Sequence, residues 1–63
     1  MKYKLTKMQI KMLIEGKPVQ RNRTKIYPTT SVKEALEIIN NNNLYDQYDV
    51  LIDEANYLNI VEK

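Results

Sequence analysis

A chain of 63 residues with no cysteine and no histidine must close its core by packing alone. Disulfides and zinc sites, the usual staples of domains this small, both need residues it lacks. The same absences remove the thiol nucleophile, the imidazole base and the commonest metal ligand, and with them most catalytic chemistry. The length allows one small domain, residues 1–63, and is too short to enclose a substrate and exclude water from it. The expectation is a non-enzymatic domain with no catalytic residues, cofactor, metal or small-molecule substrate.

Lys2, Lys4, Lys7 and Lys11 interrupt every apolar run near the N-terminus, so a secretory leader is not expected. No window approaches the roughly 18 apolar residues of a membrane span. The expected location is cytoplasmic, with no membrane partner. Lys, Ile, Asn and Tyr are all encoded by A/T-rich codons and make up 27 of the 63 residues. That bias points to a low-GC bacterium or to a phage acting in the cytoplasm of such a host.

The net charge of +2 conceals a division along the chain. Residues 1–27 carry Lys2, Lys4, Lys7, Lys11, Lys17, Arg21, Arg23 and Lys25 against Glu15 alone. Residues 28–63 carry Lys33 and Lys63 against Glu34, Glu37, Asp46, Asp49, Asp53, Glu54 and Glu62. Such halves can neutralise each other within one fold, the basic half can meet an anionic partner, or two copies can dock head to tail.

Thr6-Lys7-Met8-Gln9 has the spacing of a capping box, and Gly16 followed by Pro18 supplies a stop, so a first helix is expected over residues 7–15. Lys4, Lys7, Lys11 and Glu15 share one polar stripe, and Leu5, Met8, Ile10, Met12, Leu13 and Ile14 occupy most of the remaining circumference. Residues 1–5 alternate apolar and basic, which allows a short lead-in strand. Between Lys17 and Pro28 the helical period disappears. Val19, Ile26 and Tyr27 flank Arg21-Asn22-Arg23, a pattern that fits two strands joined by a tight turn in which Asn accepts positive φ. A second helix is expected to open at the capping box Ser31-Val32-Lys33-Glu34, present Val32, Ala35, Leu36 and Ile39 on one face, and stop in Asn40-Asn41-Asn42-Asn43.

A third helix is expected from Leu44 to Leu58, with Asn43 as its cap, because Leu44, Tyr48, Leu51, Ala55 and Leu58 fall on one stripe. Ile60 and Val61 would then fold back as a hydrophobic closure or a short edge strand. Residues 48–55 also resemble the strand and acidic pair that hold magnesium in P-loop ATPases and helicases. That chemistry needs a glycine-rich phosphate loop, and the one glycine, Gly16, stands in none. The helical stripe is therefore the preferred reading. The expected fold is α+β, in the order helix, β-hairpin, helix, helix, with an all-α three-helix domain as the alternative. Its expected core is Leu5, Met8, Met12, Leu13, Ile26, Val32, Leu36, Ile39, Tyr48, Leu51, Ala55 and Leu58.

With chemistry set aside, the chain acts through its surface. Arg21, Asn22, Arg23, Lys25 and Tyr27 on one side, with Asp46, Asp49 and Asp53 on the other, suit a regulatory or inhibitory module that binds another protein, including a second copy of itself. The alternative is a nucleic-acid binder that uses Lys4, Lys7, Lys11, Arg21, Arg23 and Lys25. Helix-turn-helix docking is disfavoured, because Asp46, Asp49, Asp53 and Glu54 would face the phosphates.

Overall fold

A computed structural model describes residues 2–63. The elements run β1 (Tyr3–Lys4), α1 (Lys7–Ile14), β2 (Val19–Arg21), β3 (Thr24–Ile26), α2 (Thr30–Asn41), β4 (Tyr48–Ile52) and β5 (Leu58–Glu62). The α+β class expected from the sequence is present; the third helix and the all-α alternative are not. The short lead-in strand forms at Tyr3–Lys4, and Met1, which the sequence placed in it, lies outside the described residues.

Both helix ends of α1 follow from local chemistry. The Gln9 N–H donates to Thr6 Oγ1 at 3.2 Å, and the Thr6 N–H donates to Gln9 Oε1 at 2.9 Å, closing the capping box. At the other end Gly16 takes φ +86°, the Lys17 N–H reaches the Met12 carbonyl at 2.8 Å, and the Gly16 N–H reaches Leu13 at 3.1 Å. This is a Schellman motif, which satisfies carbonyls that the helix leaves open. α2 ends the same way with asparagine in place of glycine. Asn43 has φ +53°, and the Leu44 N–H donates to the Ile39 carbonyl at 2.9 Å. Its start differs from the expected Ser31 box: Thr29, directly after Pro28, is the cap and accepts from the Val32 N–H at 3.3 Å.

The segment expected to be a third helix is a β-hairpin. Leu44 begins a single turn, in which the Gln47 and Tyr48 N–H groups both reach its carbonyl, and the chain then extends into β4. Within β4, Val50 and Ile52 are buried and Leu51 between them is half-buried on the opposite face, a period of two. Two forces favour this over the helical stripe. Tyr48, Val50 and Ile52 are aromatic or β-branched and lose rotamer freedom in a helix. In addition, Asn56 takes φ +64°, which breaks the stripe between Ala55 and Leu58.

β4 is the centre of an antiparallel sheet ordered β1-β4-β5, with Tyr3 opposite Ile52 and Val50 opposite Ile60. β2 and β3 form a separate hairpin with Val19 opposite Ile26. One core joins them, made of Leu5, Ile10, Leu13, Val19, Ile26, Leu36, Ile39, Val50 and Ile52. Among the expected core residues, Met8 is 73% exposed, Ala55 is exposed, and Met12 and Leu51 are only half-buried. Val32, Tyr48 and Leu58 pack against the core from its margin.

Candidate functional site

The hairpin tip forms as the sequence implied: Asn22 and Arg23 both adopt positive φ, 49° and 67°, the arrangement of a type I′ turn. Asn22, Arg23 and Lys25 are exposed. Arg21 is not available in the same way, because its Nη1 donates to the Asp53 carbonyl at 2.6 Å and the side chain is half-buried. Arg21 and Asp53, assigned to opposite sides by the sequence reading, are thus brought together.

Asp53 organises the β4–β5 turn. Its Oδ1 accepts the Ala55 and Tyr57 N–H groups at 2.9 and 3.0 Å, and Oδ2 accepts from Asn59 Nδ2 at 3.3 Å. The Tyr57 N–H above all, with Asn59, Ala55 and the charge of Lys2, holds this carboxyl below its ordinary value of 3.8, and its partial desolvation opposes them. Asp49 lies on the outer face of the sheet, with Lys4 Nζ at 3.2 Å and Lys63 Nζ at 3.6 Å from its Oδ1. The two ammonium groups neutralise that oxygen, which is shielded from water, without forming an aligned hydrogen bond to it. Asp46 is exposed near Asp49, whereas Asp53 lies in the β4–β5 turn, so the three aspartates do not form one contact face.

The basic half fares similarly. Lys4 is paired to Asp49, Lys7 lies 5.0 Å from the centroid of the Tyr45 ring, and Lys11 is exposed on α1. Tyr45 in turn donates to Asn40 Oδ1, and burial pushes its phenol up from 10.0. Lys4, Lys7, Lys63, Tyr45, Asp46 and Asp49 share a cleft of about 210 Å³, in which lysine charge is offset by carboxylate. The basic and acidic halves of the chain are therefore stitched together by β1 lying beside β4. Among the described residues no three carboxylates converge on a point that could hold a metal, and no helix is long and apolar enough to cross a membrane.

The surface that sequence reasoning missed is the free edge of β5. At the ends of the β4–β5 ladder the Asp53 N–H bonds the Tyr57 carbonyl and the Lys63 N–H bonds the Gln47 carbonyl. Bonded and non-bonded pairs alternate in an antiparallel ladder. Asn59 and Val61 therefore turn their main-chain groups toward β4, and Leu58, Ile60 and Glu62 turn theirs outward, where the sheet has no further strand among the described residues. Beside this edge runs an apolar groove of about 170 Å³ lined by Ala35, Ile38, Ile39, Leu44, Tyr48 and Ile60. Ile38 stands 57% exposed at it. Toward the start of β5, Tyr27 and Tyr57, 60% and 70% exposed, border a smaller groove with Val32 and Leu58. The signal was present in Ile38, three residues past Ala35, and in the adjoining Ile60-Val61. Reading residues 44–58 as a helix hid it.

Comparison with models of protein families, with curated proteins and with solved structures finds no match to this chain.

Proposed function

We propose that the chain is a non-enzymatic regulatory or inhibitory module that works by binding protein. The observation that carries this is the open edge of β5 with the apolar groove of α2 beside it. Outward N–H and C=O groups on Leu58, Ile60 and Glu62 offer a template for an added strand, and exposed Ile38 and Tyr57 offer the apolar and aromatic contacts that interfaces favour. Tyr27, Asn22 and Arg23 extend the same chemistry toward the hairpin tip, whereas Asp49 and Asp53 serve the fold and drop out of the contact set. The rival, nucleic-acid binding through the basic half, loses weight because Lys4 and Arg21 already have partners inside the fold.

A duplex titration separates the two. A binder with about six phosphate contacts would hold DNA at low salt and release it steeply as salt rises. The proposed module shows little affinity for duplex or single-stranded DNA. From a nuclease-treated lysate it retains a protein that Ile38→Lys fails to retain and Met8→Lys retains. Tight, salt-sensitive DNA binding abolished by replacing Arg21, Arg23 and Lys25 with Ala would overturn the proposal.

A further inference from the structure

We infer that the occupant of the β5 edge is a second copy of this chain, paired antiparallel about a two-fold axis through Ile60, so that two three-stranded sheets join into one. The inference rests on reading the chain as a protein binder and names the partner.

The edge is self-complementary. Leu58, Ile60 and Glu62 are evenly spaced about Ile60 and direct both main-chain groups outward. Pairing about Ile60 sets Leu58 against the partner's Glu62 and Ile60 against the partner's Ile60, and every outward N–H and C=O then meets its complement. A shift of one residue would put the inward-turned groups of Asn59 and Val61 in register and waste the outward ones. Charge agrees with this register. Within residues 57–63 the charges are Glu62 and Lys63, and the pairing places Glu62 opposite apolar Leu58 and Lys63 opposite Tyr57, a side chain that can receive a cation on its ring. Within the two paired strands no like charges stand opposite each other. Proteins that keep such edges single guard them with lysine, proline or a bulge, and residues 58–62 contain none of these.

The side chains beside the strand support the same occupant. Ile38 and Ile60 line one groove, so the two-fold that pairs Ile60 with its mate also brings the two Ile38 side chains toward each other across the junction. That covers an isoleucine which α2 otherwise holds in water.

Sedimentation of the full chain tests this. The weight-average mass should rise from monomer toward dimer between about 1 µM and about 1 mM by mass action. The dissociation constant should be nearly the same at low salt and at about 0.5 M, because the contacts are apolar and main-chain rather than ionic. Two variants locate the contact. Ile38→Lys alters an exposed position, and a chemically synthesised chain with an N-methyl group on Ile60 removes one outward donor while leaving the bonds to β4 intact. Each should weaken the dimer by about tenfold or more, whereas Met8→Lys on α1 should not, with circular dichroism confirming that each is folded. A dimer that dissolves in salt, or that ignores both variants, would overturn the inference. A monomer throughout would also overturn it, while leaving the protein-binding reading to be judged by the DNA titration.

Discussion

The two edges of the three-stranded sheet are built on opposite principles. β1 offers two residues, is flanked by Lys2 and carries Lys4, and turns at once into the capping box of α1. β5 offers five residues without a lysine or proline, beside an apolar groove. Short length and a lysine within the strand are standard protections of a strand edge; β1 has both, whereas β5 is longer and its one charge is Glu62 at its end. Both edges bond the same central strand, and they differ in what their outer sides leave open. That difference marks the β5 side as the face on which contact is expected.

The largest effect should come from the strand that both edges share. Val50→Asp puts an unpaired charge at a fully buried position of β4. The cost of several kcal/mol is comparable to the whole stability of a domain this size, so far-ultraviolet circular dichroism should show an unfolded chain. Leu51→Asp, on the half-buried outer face, should stay folded with a lower midpoint. A helix over residues 44–58 would reverse that order.

Next in size is the turn that sets the groove beside β5. Asn43→Ala forces a residue with a Cβ and no compensating polar group into positive φ, and should cost about 1 kcal/mol in a thermal melt, whereas Asn43→Gly should be neutral or better. The hairpin that presents β5 also carries a pH signature. The Asp53 carboxyl is held below 3.8 in the folded chain, so its contribution is fully present above that value and is lost as pH falls through the depressed one. The melting midpoint of the native chain should therefore exceed that of Asp53→Asn at neutral pH, and the gap should close as pH falls below 3.8 and through the depressed value. A gap that does not change with pH would remove Asp53's charge from the account. The smallest effect belongs to the guarded edge. Lys4→Thr breaks an exposed ion pair worth about 0–1 kcal/mol and should not create a second association site, because two residues are too few to template a strand.

How much of this could be read beforehand follows from the range of the forces involved. The capping box at Thr6, the stop at Gly16, the type I′ tip at Asn22-Arg23 and the asparagine stop after α2 are each decided within a few residues, and the sequence displays them. Residues 44–63 are decided by pairing partners elsewhere. A stripe of Leu44, Tyr48, Leu51, Ala55 and Leu58 satisfies a helical period by spacing alone, while β4 is a strand because β1 and β5 bond it from both sides. The misreading carried through to the site. It placed Asp49 and Asp53 on an exposed helical face, where the fold uses them to bind Lys4 and to close a turn, and it left no edge for Ile38 to stand beside.

Amide hydrogen exchange on the dilute monomer tests the central claim most directly. The open-edge geometry predicts an alternation along β5, with slow exchange at Asn59, Val61 and Lys63, whose N–H groups face β4, and fast exchange at Leu58, Ile60 and Glu62. Uniform protection through residues 58–62, or continuous protection over 44–58 of the kind a helix gives, would contradict it.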